Sequence, residues 1–297
     1  GYNGSENFAE GQRFGLFPAG SIGWIVSEEN FFRPVKKFVT YLKFRGSYGI
    51  VGNDRVSDYS RFLYLPDKYL ISSGSYSFGT NTSTLIAGAT ESKKGNPKVT
   101  WETSEKQNYG IDAKFFKDHL SVNFDYFIEH RKNILKSRTV SPGYLAVSLP
   151  IANIGKVDNK GYEINVKWDD RINEVRYYIG ANLSYAKNKI VFIDEIHYPY
   201  EWMQTEGKPV GQQFGYVFDG YFTAEEAANY ENLKGKEGGI ANQGSGYVPL
   251  AGDVKYKDLN GDGQIDEKDV RDIGYPKYPL YTAGMNMGFS WKGFDFS

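Results

Sequence analysis

Val175-Arg176-Tyr177-Tyr178-Ile179-Gly180-Ala181-Asn182-Leu183-Ser184-Tyr185-Ala186 alternates along its length. Val175, Tyr177, Ile179, Ala181, Leu183 and Tyr185 fall on one side, with Arg176, Tyr178, Gly180, Asn182, Ser184 and Ala186 on the other. A period of two is that of a β-strand with unlike faces. Outward from it the pattern repeats. Segment 160–168 sets Tyr162, Ile164, Val166 and Trp168 against Gly161, Glu163, Asn165 and Lys167. Segments 120–136, 100–116 and 39–51 do the same, and weaker candidates lie at 13–26, at 280–291 and from 294.

The lengths of the connections choose the architecture. Lys117-Asp118-His119, Asp169 to Asn173, and Lys292-Gly293 are short, whereas 52–99, 137–159 and 189–279 are long, and the two kinds alternate. A β-sandwich also alternates, but it has no reason to keep every long connection at one end. A transmembrane barrel has that asymmetry, with tight turns on the periplasmic side and long extracellular loops. Phe115, Trp168 and Trp291 sit on the apolar face near the short turns, with Trp24 close to the remaining link, as an aromatic girdle requires. We therefore expect an all-β, antiparallel transmembrane β-barrel. Residues 1–188 would hold strands and two extracellular loops, 189–279 one long extracellular loop, and 280–297 further strands. The chain opens in what reads as a loop and closes on Phe294-Asp295-Phe296-Ser297, which reads as a strand cut short. A slice of a wider barrel is the expectation.

Composition agrees. The chain has 24 Tyr, 20 Phe, 5 Trp and 34 Gly, residues that favour strands and turns. No run approaches the roughly 18 apolar residues of a helical span. With 35 Lys and Arg against 36 Asp and Glu, the basic surface that nucleic acid requires is missing. Cysteine is absent, which removes disulfides, thiolate zinc sites and Cys nucleophiles. His119, His130 and His197 form no metal or triad spacing, and no segment frames the carboxylate pair of a glycosidase. An enzyme is not expected.

Within 189–279 the run from Asp258 to Asp269 has calcium-loop spacing. Asp258, Asn260 and Asp262 stand at positions 1, 3 and 5, where their oxygens can converge on one cation. Gly263 supplies the turn, Gln264 would offer its carbonyl, Asp266 would act through water, and Asp269 replaces the usual Glu at position 12. A structural calcium is the expected cofactor. The alternative is an Asx-rich turn that holds its shape without metal. In the same loop, Tyr198, Tyr200 and Trp202 are candidate substrate contacts, since sugar rings stack on such faces. They would otherwise pack the loop onto itself. Thr223-Ala224-Glu225-Glu226 reads as a capping box opening a short helix.

Several stretches together resemble SusC/RagA-like TonB-dependent outer-membrane transporters. They include Arg13-Phe14-Gly15-Leu16-Phe17-Pro18-Ala19-Gly20, Leu42-Lys43-Phe44-Arg45-Gly46-Ser47-Tyr48-Gly49, Asn96-Pro97 with Trp101-Glu102-Thr103, and Asn108-Tyr109-Gly110-Ile111-Asp112. Further on come Asn153-Ile154-Gly155, Asn159-Lys160-Gly161-Tyr162-Glu163, Gly215-Tyr216-Val217-Phe218-Asp219-Gly220, and Gly252-Asp253-Val254-Lys255-Tyr256-Lys257-Asp258. The resemblance implies a barrel of 22 strands in the outer membrane of a Bacteroidetes-type Gram-negative bacterium. It implies a plug that contacts the TonB complex, a SusD-like lipoprotein lid, and import of oligosaccharides or peptides. It also implies lipid around the barrel and transporter–lid pairs that associate in twos. This chain would be the later part of the barrel, without the plug. The competing readings are a secreted, calcium-stabilised, carbohydrate-binding β-sandwich and a passive porin-like barrel.

Overall fold

The computed structural model describes residues 1–55, 61–65, 69–71, 74–80, 84–91, 95–138 and 149–297. Parts of the first two long connections lie outside these. The alternating segments form one antiparallel meander of eight strands. They are β1 (Ala19–Ile25), β2 (Val39–Asn53), β3 (Glu102–Phe115), β4 (Leu120–Lys136), β5 (Ala152–Ile172), β6 (Val175–Phe192), β7 (Tyr281–Trp291) and β8 (Phe294–Phe296). Each lies beside its neighbours in sequence, and among the described residues β1 and β8 are the edges of the sheet.

Two boundaries differ from expectation, for physical reasons. Segment 13–26 breaks at Pro18, which has no N–H to give to a ladder. Phe14–Leu16 pairs instead with Tyr2–Gly4, and β1 begins at Ala19. Asp169 and Asp170, read as turn residues, stay in β5. They face Tyr178 and Tyr177 across the ladder, and Asp169 takes a two-pronged ion pair from Arg176 at 3.0 and 3.1 Å. The turn shrinks to Asn173-Glu174, with Asn173 at φ 55°. At the last hairpin, Lys292 and Gly293 have φ 45° and 86°, the two left-handed residues that a two-residue hairpin turn demands.

Register turns the alternation into rows. Ile111, Phe124, Ile164 and Leu183 lie side by side on the apolar face. Toward the long connections, Tyr109, Tyr126, Tyr162, Tyr185 and Tyr281 make a continuous row. Within it, ring centroids are 5.3 Å apart for Tyr162–Tyr185 and 4.7 Å for Tyr185–Tyr281. Trp168 is six positions from Tyr162, about 20 Å along the strand. That is of the order of the ~25 Å apolar band of a membrane barrel. Alternation predicts an aromatic girdle at the short turns; the tyrosine row at the other end emerges from register. The apolar face is uncovered, with Met285 67% exposed and Tyr281 61%.

The buried core lies elsewhere. Phe8, Phe17, Leu63, Val99, Trp101, Leu135 and Ile151 cluster where β2 and β4 end and β3 and β5 begin. Trp101 packs on Phe8 and Phe17 at 5.4 and 5.1 Å and donates its indole N–H to Arg13 O at 3.1 Å. Asn153 ties the strands here. It accepts from Thr100 N and donates to the carbonyls of Thr100 and Asn133. Gly52 makes room for Phe17: a Cβ there would lie 2.0 Å from Phe17 Cζ. Several of the quoted motif residues are thus the joints of this small core.

The chain divides into two compact units, 1–195 with 280–297, and 196–279.

Candidate functional site

The polar face of the sheet carries an ionic network. Arg45 on β2 reaches over β3 to Asp125 on β4 at 2.6 Å, and holds Asp112 on β3 at 3.1 Å. Gly110 permits the crossing, since a Cβ there would sit 2.4 Å from Arg45 Cζ. Asn123 donates to Asp112 at 2.8 Å. All three charged groups are partly buried, so the guanidinium fork is held in place rather than waving in solvent. Sequence reasoning put these residues on the polar face and missed the cluster. Glycine at 110 was the one local signal.

Residues 196–279 fold around Tyr230 and Phe222, which are 1% and 2% exposed and meet edge to face at 5.7 Å. The capping box forms in both directions between Thr223 and Glu226 and opens helix Ala224–Ala228. Lys255 binds Glu226 at 2.8 Å and, with the Thr223 N–H, draws its carboxyl below the usual range. Short ladders join Phe214–Gly215 to Arg271–Asp272 and Phe218–Tyr221 to Val254–Tyr256. A polar cavity of about 650 Å³ opens between Lys236, Lys255, Asp258 and Asp262.

The candidate residues are placed as follows. Asp258 accepts from Gly261 N at 2.6 Å and Gly263 N at 2.7 Å. Asn260 accepts from Asp262 N and donates to Asp262 Oδ2, while Asp262 accepts from Gln264 N. Asp269 is fully buried and accepts from Leu259 N and Asp266 N. Lys268 places its ammonium 3.3 Å from Asp262 and 3.4 Å from Asp266. The Asn260 amide, the Gln264 N–H and Lys268 hold the Asp262 carboxyl below its ordinary value, and Asp262 in turn raises Lys268. Among the described residues, no three His, Asp or Glu side chains converge as a metal cluster. The donor set is nonetheless oxygen-only, and each carboxylate oxygen except Asp262 Oδ2, which accepts from both Asn260 and Lys268, keeps a lone pair beyond the N–H it accepts. That chemistry suits a hard cation once Lys268 swings away.

Tyr200 and Trp202 stack face to face at 4.4 Å with 8° between planes. Trp202 donates its indole N–H to Lys268 O at 2.8 Å. One hydrogen bond therefore joins the aromatic segment to the acidic loop, two features that sequence left unconnected. Tyr198 is half-buried two positions before Tyr200.

Residues 3–294 match the family described as TonB dependent receptor-like, beta-barrel. TonB-dependent receptor P3 of Formosa agariphila is 30% identical over 311 residues, covering 99% of this chain and 28% of that protein. TonB-dependent receptor SusC of Bacteroides thetaiotaomicron is 25% identical over 307 residues, covering 100% of the chain and 28% of the relative. The RagAB peptide importer in its closed-closed state superposes with a TM-score of 0.68 at 18% identity, over 99% of this chain and 30% of that one. The open-open state gives 0.67 at 17% identity, covering 97% and 28%. The chain spans under a third of the length of these relatives. With a family match across nearly its whole length and an all-β meander that superposes on such a barrel, the chain belongs to the TonB-dependent receptor-like β-barrel family of outer-membrane proteins.

Proposed function

We propose that the chain forms part of the barrel wall and one extracellular loop of an outer-membrane importer energised through TonB. It would work with a plug and a SusD-like surface lipoprotein, in transporter–lid pairs that associate in twos, and take up oligosaccharides or peptides. The supporting observation is the asymmetry of the meander. Its short turns lie at one end, while at the other β6 and β7 are separated by residues 193–280, of which 196–279 form a compact unit with its own hydrophobic centre. A passive pore has no need of so large a folded loop.

Uptake by cells carrying the intact protein is expected to stop when TonB is removed. Uptake that continues would leave the porin reading, and recovery of the protein without detergent would leave the sandwich.

Tyr198, Tyr200 and Trp202 enter this proposal as the substrate platform. Lys268 O anchors the Trp202 ring and Tyr200 backs it, so a rigid half-buried aromatic face is available to a sugar ring or an apolar peptide side chain. Trp202→Ala is expected to weaken ligand binding by the intact transporter about tenfold, measured by calorimetry. Unchanged affinity would assign the pair to packing.

Calcium is the second part of the proposal. Asp258, Asn260, Asp262, Gln264, Asp266 and Asp269 would close around it, with Lys268 as the competing cation. Calcium titrated into the chelator-treated intact protein is expected to bind one site that Asp258→Ala with Asp262→Ala removes. Equal binding by that variant would leave an Asx-rich loop held by its own N–H groups.

A further inference from the structure

Beyond the tyrosine row the apolar face changes character. Lys160 follows Tyr162 by two positions toward the long connections, and Lys187 follows Tyr185 in the same direction. Two residues of strand are about 7 Å, the step from an interfacial aromatic to the headgroup layer. Lys160 and Lys187 are directly opposite one another in register. Like charges in that position repel and destabilise a ladder unless something anionic lies over them. Lys189 comes two positions later on the same face, and all three lysines are exposed.

The acids nearby are already engaged. Glu105 holds Lys132 at 2.7 Å, and Asp158, opposite Lys189, holds His130 Nδ1 at 2.7 Å. Among the described residues, Lys160, Lys187 and Lys189 have no ion-pair partner within 4.0 Å.

We infer that Lys160, Lys187 and Lys189 form a docking site for the phosphate groups of outer-leaflet lipid, at the rim of the membrane-facing surface. The proposal rests on the outer-membrane reading above. The lysines supply flexible point charges, which suit headgroups that move past the barrel and need no fixed bidentate fork. The phosphate relieves the repulsion between Lys160 and Lys187, while the tyrosine row marks where the acyl chains begin.

The test uses the intact protein in neutral detergent, titrated with micelles containing phosphorylated lipid A or the same lipid with its phosphates removed. Each lysine at an anionic lipid surface contributes about fivefold, so Lys160→Gln, Lys187→Gln and Lys189→Gln together are expected to weaken binding of the phosphorylated lipid about a hundredfold. Dephosphorylated lipid is expected to bind parent and variant alike, and the triple Arg variant is expected to retain binding. Equal affinity of parent and Gln variant for the phosphorylated lipid overturns the inference. A loss that persists without phosphate also overturns it, as does loss of a co-purifying acidic protein with lipid binding intact. Heat-modifiable migration of the unboiled protein separates these results from failure of the barrel reading: a barrel that is present but indifferent to lipid phosphate sinks only the lysine site.

Discussion

Gly161→Ala is expected to destabilise the barrel by about 3 kcal/mol or more and to leave little of it folded in the outer membrane. The backbone at Gly161 is ordinary strand, so conformational strain is not the cause. The cause is contact. A Cβ at this position would lie 2.0 Å from Tyr185 O, 3.0 Å from Ala186 Cα and 2.7 Å from Phe127 Cζ. The phenyl ring can rotate away, but the first two are backbone atoms of β6, so the ladder between β5 and β6 has to open. Those strands pair from Lys156↔Phe192 to Ile172↔Val175, the middle of the meander, where an opened ladder has no edge to retreat to. The check is the thermal transition and heat-modifiable migration of the purified variant in detergent. Gly46→Ala serves as the control: its nearest neighbours, Ile22 Cγ2 and Tyr109 Cδ1, are 3.9 Å away, and its stability is expected to stay within about 0.5 kcal/mol of the parent. If Gly161→Ala behaves like Gly46→Ala, the close approach described here is wrong.

The second large effect is expected from Trp101→Ala. The indole is 7% exposed, wedged against Phe8 and Phe17, and it supplies a donor to Arg13 O. Its removal leaves a cavity at the centre of a small core, costing about 3–5 kcal/mol. The loss is local, because among the described residues Ile50 at the end of β2 is the one partly buried apolar side chain packed against this core from outside it. The segment 1–17 depends on it most. Ser5 N donates to Arg13 O, and Phe17 N donates to Gly1 O. Amide exchange in 2–16 is expected to accelerate a hundredfold or more, with β4 and β5 keeping their protection near 120–126 and 162–168. Trp101→Phe keeps a ring but not the donor, so it is expected to lose only about 1 kcal/mol. Uniform loss of protection across β2 to β6 would show that the core and the sheet fold as one unit.

Both variants touch residues whose importance was only partly legible. Alternation identified eight strands, because a membrane-facing sheet must present apolar residues at every second position and has no second layer to blur the pattern. Its errors came where local chemistry competes with the ladder. Asp169 and Asp170 look like turn formers until the register sets Tyr178 and Tyr177 opposite them and brings the Arg176 guanidinium onto Asp169, and Pro18 interrupts an otherwise unbroken run. The capping box at Thr223 was readable because its partners are three residues apart. The ties among Trp101, Phe8 and Asn153 were not, because they join segments 53 to 93 residues apart with no periodic trace. In the same way, Trp202 and the Asp258–Asp269 loop each stood out alone, while the hydrogen bond between them spans 66 residues.

By itself, then, the sequence determined the strands, their two faces, the end of the sheet that carries the long connections, and the family. Each of these is written in local period or spacing. Tertiary structure alone decided the register, and with it everything that depends on residues meeting across strands: the tyrosine row, Arg45 reaching over Gly110 to Asp125, Lys160 set opposite Lys187, and the closeness of Gly161 to β6. The reason is that a strand's pattern states which way each side chain points, whereas a slide of two residues preserves every direction and changes every neighbour.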